Sequence, residues 1–563
     1  MKKKKLKAIF LIGILTFLVI AGIVVATLYP FPSSEKVVGI NGSTSIIYQN
    51  EVVEGATVTT FDRQSYVPFS FIKEKVDSNI VYDEASQSVI VTMPENVYQL
   101  PTDELKYFMN QKEHSLHFPV TKSENNQLFL AVSWLEQVYP VYLHRTKHAL
   151  VFYENGSNKK MAEIKSSLED YQTKLRKSPS VMSPYYINLE PGDKVYIIGE
   201  EGRFFHALSE NGTIGYLPKD SVENLKSQKV DSKTEKQKRR DIHEIDEPIH
   251  VAWDAFYNPD ATPTEVKPER GIDVLSPTWF HLIDGEGNIE NYAKKEYVDS
   301  AHENGIDVWA LFSNSFDPDL TKQVLSSFEK RQDVIRQLLD YSRVYNLDGI
   351  NIDFENVYLD DGPLFTQFVR EFTPLAHQAG LVVSVDVAFP DGSERWSQFL
   401  EHEQLADASD YMMVMAYDEH WANSPNPGSV ASLPWVRENM NNLLELVPND
   451  KVLLGIPLYT RLWTVTKLDN GETDVSSESM TMEEAKKWMA DRKIEPEFKS
   501  STGQNVVTYE DENKTYYIWL EDKTSLQTRI QLMKEHNLAG IATWSKSFAD
   551  KEAWRIIDSA MQQ

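Results

Sequence analysis

Apolar runs of strand length alternate with amphipathic segments of helical length in the C-terminal half of the chain, from Ile249 onward. Continuous apolar runs are typical of parallel strands that are covered on both faces. Two of the intervening segments, 322–345 and 363–379, are predicted helices. The eight runs are IHVAWDAF, VLSPTWFHLI, DVWALFS, GINIDFE, LVVSVDVAF, YMMVMAY, VLLGIPLY and GIATWS. The pattern therefore predicts an α/β TIM (β/α)8 barrel in residues 249–563, with an insertion at about 464–516, after strand seven.

Two smaller domains are predicted before the barrel. Residues 36–154 form a small α+β stalk domain with an internal echo, because 66–91 and 129–152 each contain an apolar strand, a short helix and a closing hairpin. Residues 172–224 contain alternating runs broken by turn dipeptides, as a small antiparallel β-barrel requires. Residues 226–248 are charged and poor in apolar residues, which predicts a linker.

The N-terminal segment predicts a membrane anchor. A lysine cluster precedes an uncharged stretch from Ala8 to Tyr29, about the length that crosses a bilayer. Residues 1–30 are thus expected to form a single-pass helix, with the bulk of the chain on the extracytoplasmic, cell-wall side. Val24 and Ala26 leave signal-peptide cleavage open as an alternative.

Composition excludes several classes of function. The formal net charge of −27 argues against a nucleic-acid partner, since phosphate binding needs a cationic face. The chain has no cysteine, which excludes disulfides, thiol chemistry and thiolate metal sites. His144 and His148 have no clear third partner, so we predict surface residues rather than metal ligands there. No metal or other cofactor is expected, and the chain is expected to be a monomer.

The fourth apolar run carries acids in an otherwise apolar strand. Side chains alternate along a strand, so Asn351, Asp353 and Glu355 share one face. In a barrel this polar face follows the lumen toward the C-terminal rim, where barrel active sites lie. A calcium loop is disfavoured because apolar residues separate the acids, and a structural network of buried carboxylates stays open as an alternative.

The run DGINIDFE, 348–355, resembles the signature Asp-x-x-Asp-x-Asp-x-Glu of glycoside hydrolase family 18, the chitinase-like barrels. Three further motifs match in order: MAYD at 415–418, LGIPLYTRLW at 454–463 and LAGIATWS at 538–545. The stretch IWLEDKTSLQTRIQLM resembles spore-cortex and wall-lytic members. The stalk domain resembles the copper amine oxidase N-terminal-like domain, and residues 172–224 resemble a bacterial SH3 domain.

The resemblance implies substrate-assisted catalysis, in which the 2-acetamido oxygen of the substrate is the nucleophile and one enzyme acid suffices. Glu355 would protonate the leaving group, Asp353 would stabilise the oxazolinium ion, and Tyr417 would bind the acetamido oxygen. Further residues of the matched motifs are expected to bind substrate or line the cleft: Asp418, Trp544, Asn351, Tyr459, Met415 and, less directly, Arg461 and Trp463. Asn351 stands where the family has its middle aspartate, so the usual proton sharing with Asp353 is absent.

The expected function is therefore a glycosidase that cleaves β-1,4 bonds next to N-acetylglucosamine, in peptidoglycan. The alternatives are a chitinase or another hydrolase of N-acetylglucosamine glycans, and a catalytically silent glycan-binding scaffold. Endo or exo action, the ligand of the SH3-like domain and the effect of Asn351 are left open by the sequence.

Overall fold

The computed structural model describes residues 2–28, 32–38, 44–235, 237–238, 242, 245–267, 269–390 and 392–562, and the chain divides into two units. The first unit comprises Met1–Val81, Leu100–Phe108 and Glu113–Gln237, and the second comprises Tyr82–Gln99, Met109–Lys112 and Lys238–Gln563. Parts of two predicted segments lie outside the described residues: 1, 29 and 30 of the anchor, and 236, 239–241 and 243–244 of the linker.

The N-terminal segment forms a helix, Lys2–Leu28. Within the described part of the chain, no helix combines the length and the apolar character that crossing a membrane requires. The prediction of a single-pass membrane anchor is therefore wrong.

The stalk region contains the predicted repeat. Each copy has a strand, a seven-residue helix and two further strands, with helices Phe69–Lys75 and Val132–Val138. One seven-stranded sheet has the order Val141–Arg145, Ala149–Glu154, Thr44–Tyr48, Glu51–Phe61, Gln64–Pro68, Gln127–Ala131, Thr121–Glu124. A five-stranded sheet follows chain order: Val81–Asp83, Ser88–Thr92, Val97–Pro101, Lys106–Met109, Lys112–Ser115.

A second seven-stranded sheet occupies the region of the predicted small β-barrel. Its strands pair antiparallel, and apolar residues such as Ala162, Leu175 and Ala207 form its core. The strand order is Tyr185–Asn188, Lys174–Arg176, Ile214–Pro218, Phe204–Ser209, Lys194–Glu201, Asn158–Ile164, Val222–Lys229. The sheet extends beyond the predicted residues 172–224, because it includes the strand Asn158–Ile164 and its last strand continues into the predicted linker as far as Lys229. The SH3-like assignment stays a prediction.

Eight parallel strands close into the predicted barrel in the second unit. Strand β8 pairs with both β1 and β7, which closes the ring without a free edge. The strands are β1 Ile249–Asp254, β2 Val274–Leu282, β3 Asp307–Ser313, β4 Gly349–Asp353, β5 Val382–Val387, β6 Tyr411–Val414, β7 Val452–Pro457 and β8 Gly540–Trp544. A short strand, Ile289–Asn291, pairs antiparallel with β2.

Amphipathic helices cover the barrel strands. The predicted helix 322–345 is two helices, because the side chain of Ser327 caps the second one by accepting a hydrogen bond from the Lys330 amide. The predicted helix 363–379 is Gly362–Gln378. The helices that follow the strands are Lys295–Glu303, Pro318–Leu325, Phe328–Tyr345, Gly362–Gln378, His402–Ala408, Leu433–Leu443, Lys523–Glu535 and Lys551–Gln562.

The insertion after β7 is a five-stranded antiparallel sheet with one helix, Met482–Arg492. It starts five residues earlier than predicted, because Tyr459 to Trp463 are largely buried and so extend the apolar run of β7 in the sequence. Its strand order is Thr473–Thr481, Tyr459–Lys467, Lys514–Trp519, Gln504–Asp511, Glu497–Lys499.

Apolar side chains fill the lumen below the rim. The core includes Trp253, Trp309 and Met413, all nearly inaccessible to solvent. Ile242 and Ile245, from the end of the predicted linker, pack against this core. The segment before β1 is therefore part of the barrel and not a free tether at these positions.

A buried carboxylate joins residues 82–99 to the helices of the barrel within the second unit. Asp83 Oδ2 accepts a hydrogen bond from the Phe328 amide at 2.8 Å and lies 3.7 Å from Arg331 Nη1. Arg331 in turn donates two hydrogen bonds to Glu371, at 3.1 and 2.8 Å. All four residues are at most 6% exposed, so each polar group depends on these partners.

Asp83→Ala is expected to lower the free energy of unfolding by about 1–3 kcal/mol, because a buried amide loses its acceptor. Asp83→Asn keeps an oxygen opposite the Phe328 amide and is expected to lose less. Urea denaturation of the full chain measures both variants. Wild-type stability of Asp83→Ala would contradict a role of this contact in holding the unit together.

Candidate active site

The fourth strand places its polar side chains in the lumen and its apolar side chains against the helices. Ile350 and Ile352 are completely buried, as is expected for residues between sheet and helix layers. Phe354 packs against the rings of Phe365 and Phe368, at 5.2 and 5.9 Å between ring centroids. The predicted alternation therefore holds along β4.

Glu355 lies just past the end of β4, where Asn314 fixes its backbone. Asn314 Oδ1 accepts a hydrogen bond from the Glu355 amide at 3.1 Å, and its Nδ2 donates to the Glu355 carbonyl at 2.8 Å. Asn314 also donates to Thr321 at 2.8 Å and is completely buried. This double contact between the loops after β3 and β4 positions Glu355 at the C-terminal rim.

The two acids of β4 have perturbed acidities. Burial raises the pKa of Asp353 to about 7. Burial, with further contributions from the charges of Asp353 and Asp418, raises the pKa of Glu355 well above its usual range. The raised pKa of Glu355 favours its protonated form, which can act as a general acid.

Asn351 is completely buried and takes its hydrogen bonds from the protein. Its Oδ1 accepts from Trp253 Nε1 and from Ser276 Oγ, each at 3.0 Å. Its Nδ2 donates to Asp386 Oδ1 at 2.8 Å. These contacts indicate that Asn351 holds neighbouring side chains of the lumen in place and does not contact a substrate directly.

Tyr417 and Asp418 follow β6 at the same rim. Burial, with Asp386 and Tyr459 as the next contributors, raises the pKa of Tyr417 well above its usual range, so its hydroxyl stays a donor. Asp418 has a left-handed backbone, φ 59°, and its Oδ1 accepts a hydrogen bond from Tyr459 Oη at 2.6 Å. The rings of Tyr417 and Tyr459 meet edge to face at 6.3 Å. Tyr459 thus links the start of the insertion to Asp418 after β6.

The other predicted residues have different locations. Trp544, at the end of β8, is half-buried and meets Trp253 edge to face at 5.8 Å. Met415 is half-buried, and its amide donates to the Val387 carbonyl at 2.8 Å. Arg461 is half-buried and reaches Ser477 at 3.4 Å. Trp463 is completely buried and donates to the Gly428 carbonyl, so it is a core residue and not part of the cleft wall.

Exposed aromatic rings stand in the loops that follow the barrel strands. Phe316, after β3, and Trp396, after β5, lie 6.3 Å apart and are 50% and 46% exposed. Trp421, after β6, is 54% exposed. Asn356, next to Glu355, donates to the Phe316 carbonyl at 2.8 Å, which links the backbone after β3 to the residue that follows the acid. Flat apolar rings at the rim suit the C–H faces of sugars.

Two site residues, Asp386 and Asn314, were not predicted from the sequence. Asp386 could have been found, because an acid inside the apolar run LVVSVDVAF is the same signal that identified Asp353. Asn314 follows β3 and has no distinguishing pattern. No cluster of His, Cys, Asp and Glu suited to a metal ion occurs among the described residues.

The C-terminal rim of this closed parallel barrel carries Glu355, an acid with a raised pKa, with Asp353 two residues before it and Tyr417 after β6, and a barrel glycosidase needs an acid of this kind at this place. The sequence model of Glycosyl hydrolases family 18 matches residues 265–549, about half of the chain. The chain belongs to this family, and the predicted glycosidase class is confirmed. The model of the copper amine oxidase N-terminal domain matches residues 47–148, which confirms that predicted domain.

Curated relatives and solved structures agree with this assignment. The chain is 27% identical over 283 residues to the uncharacterized glycosylase YvbX of Bacillus subtilis (strain 168), covering 48% of this chain and 80% of that protein. It is 24% identical over 251 residues to the cortical fragment-lytic enzyme of the same organism, covering 44% of this chain and 57% of that protein. The C-terminal domain of a putative chitinase from Desulfitobacterium hafniense DCB-2 shares the fold, with a TM-score of 0.50, 22% identity and coverage of 56% and 99%.

Proposed function

We propose that this protein hydrolyses β-1,4 bonds next to N-acetylglucosamine in peptidoglycan, by substrate-assisted catalysis with retention. The observation that carries the proposal is Glu355, an acid whose pKa is raised by burial and by Asp353, at the rim of a family 18 barrel. A protonated carboxyl at neutral pH is what leaving-group departure requires.

In the first step Glu355 gives its proton to the glycosidic oxygen as the bond from that oxygen to the anomeric carbon breaks. The acetamido oxygen of the same sugar bonds to the anomeric carbon, so the electrons of the broken bond stay with the leaving alcohol and an oxazolinium ion forms. The carboxylate of Asp353 stabilises this cation, and the hydroxyl of Tyr417 donates to the acetamido oxygen.

In the second step a water molecule attacks the anomeric carbon and gives a proton to the Glu355 carboxylate. This opens the oxazolinium ring, restores the acetamido group and returns Glu355 to its protonated form. Two displacements at the same carbon leave its configuration unchanged. Trp544 would support the sugar ring, and the link between Asp418 and Tyr459 would hold the rim in place.

Peptidoglycan is favoured over other glycans by two relatives from Bacillus subtilis, the cortical fragment-lytic enzyme and the putative sporulation-specific glycosylase YdhD, of which the chain covers 57% and 55%. A second candidate is a shorter N-acetylglucosamine oligosaccharide, because human di-N-acetylchitobiase is 23% identical over 265 residues. The retention of Glu355, Asp353 and Tyr417 together argues against a silent glycan-binding scaffold, which needs no proton donor.

The substrate is tested by incubating the full chain with purified peptidoglycan, chitin oligosaccharides and N-glycans, followed by mass spectrometry of the products. We expect new reducing ends, at N-acetylglucosamine or at the sugar next to it, to form faster from peptidoglycan than from chitin oligosaccharides or N-glycans. Preferred cleavage of chitin oligosaccharides would support the second candidate. Binding of a glycan with no cleavage of any would overturn the enzymatic function.

A further inference from the structure

Asp386 is a buried acid in the middle of the barrel that the mechanism above does not use. It lies on β5 and is 2% exposed. The register between β4 and β5 pairs Ile352 with Val385, so the next residues along the two strands, Asp353 and Asp386, stand at the same level of the lumen. Neighbouring parallel strands are about 4.8 Å apart, which places the two side chains side by side on the lumen face, and the charge of Asp353 acts on Asp386.

The direction of the hydrogen bond from Asn351 is fixed by its other partners. The indole of Trp253 can only donate, so the oxygen of the Asn351 side chain must face it, and the amide nitrogen must face Asp386. Asn351 therefore gives Asp386 a neutral donor and adds no charge. An aspartate at position 351 would instead have placed a third carboxyl group between these acids.

The surroundings of Asp386 favour one proton shared by two carboxyl groups. Burial and then the charge of Asp353 raise the pKa of Asp386 well above its usual range, while Asn351 opposes the shift. The other titratable groups that act on it are Glu355, after β4, and Tyr417, after β6. Asp353 Oδ1 is buried and has no hydrogen-bond partner among the described residues, so it is open to accept a shared proton.

We infer that Asp386 is a positioning residue of the glycosidase site: it shares one proton with Asp353 and so replaces the acid that Asn351 lacks. The inference rests on the proposed function. With the proton on Asp386, Asp353 is a carboxylate that can face the developing oxazolinium cation. The pair keeps this proton throughout the reaction, so no proton passes between Asp386 and the substrate.

Asp386→Asn tests this role, because it keeps the size and an acceptor for Asn351 but removes the ionisable group. We expect kcat to fall about tenfold with KM nearly unchanged, because residues in one hydrogen-bond network are energetically coupled by about this factor. We also expect the acid limb of the kcat profile to move to higher pH, because a carboxylate without a proton-sharing neighbour is protonated more easily. A purely structural contact would leave the pH profile in place.

The double variant Asn351→Asp/Asp386→Asn moves the second carboxyl group from β5 back to β4. We expect it to recover most of the lost turnover, whereas Asn351→Asp alone crowds three acids together and loses both stability and activity. Thermal unfolding of each variant separates loss of fold from loss of function. A double variant as impaired as the product of its single variants would overturn the inference.

A readout without substrate separates this inference from the proposed function. In the Glu355→Gln background, the infrared band of a buried protonated carboxyl should weaken when Asp386→Asn is added, measured on the alkaline side of neutral pH, where Asp353 without a proton-sharing neighbour is ionised. An unchanged band would overturn the shared proton even if the enzyme is active. A lost band in a protein that cleaves no glycan would leave the shared proton supported and the proposed function refuted.

Discussion

Glu355→Gln is expected to lower turnover by roughly 10²-fold or more, with glycan binding largely kept. The amide has the size and hydrogen-bonding capacity of the acid but no transferable proton, so departure of the leaving group loses its acid catalyst. We would measure kcat and KM on the preferred glycan at a series of pH values, by quantifying the new reducing ends. Because the pKa of Glu355 is raised, wild-type activity should persist at neutral pH and decline as the pH rises past that pKa.

Glu394→Gln is the matched control for this experiment. Glu394 is an exposed acid in the loop after β5, at the same end of the barrel, and the same chemical change there should leave turnover within about twofold, as is usual for exposed sites. The residual activity of Glu355→Gln should also no longer decline at alkaline pH, because the titrating acid is absent. Hydrolysis by Glu355→Gln at the wild-type rate would remove Glu355 from the mechanism.

Most of the barrel was predictable because its signal is local and repeated. Each of the eight apolar runs became a strand, since parallel strands buried on both faces need continuous apolar sequence. The polar face of β4 was predictable for the same reason, because strand alternation fixes which side chains share a face. The identity of Glu355 as the rim acid followed from its place at the end of that strand.

Partnerships between strands were not predictable from the same pattern. The contact between Asn351 and Asp386 joins residues 35 positions apart, and only the register of β4 and β5 brings them to one level. Trp463 shows a prediction that the structure does not support. As an aromatic residue of a family motif it was expected in the cleft wall, and it lies in the core. A motif fixes residue order along the chain, whereas burial depends on what the folded insertion packs against it.

The predicted linker is packed against folded structure near both of its ends, which its polar sequence does not indicate. The linker was predicted from its charge, yet its first residues complete a strand that ends at Lys229, and Ile242 and Ile245 pack on the barrel core. Isolated apolar residues in a charged stretch carry no periodicity, so only the three-dimensional neighbour reveals their role. A truncation that begins at Ile249 would therefore remove side chains that pack against the barrel core.

Asp353→Asn is expected to lower kcat by about 10²-fold, close behind the loss for Glu355→Gln. Its carboxylate is the negative charge that stabilises the cationic intermediate, and an amide leaves only a dipole in its place. The same change removes one contribution to the raised pKa of Glu355, so the alkaline limb of the profile should move to lower pH. Rate measurements over pH test both effects in one experiment.

A thiazoline analogue of the oxazolinium ion distinguishes this role from a general loss of structure. Wild type should bind the analogue more tightly than it binds substrate, because the analogue resembles the intermediate, and Asp353→Asn should lose most of that preference. Asp386→Asn, which keeps the ionisable Asp353 side chain, serves as the control and should retain more of it at a pH where Asp353 is ionised. Equal affinity of wild type and Asp353→Asn for the analogue would show that Asp353 does not stabilise the cation, and the mechanism would then need another source of negative charge in the lumen.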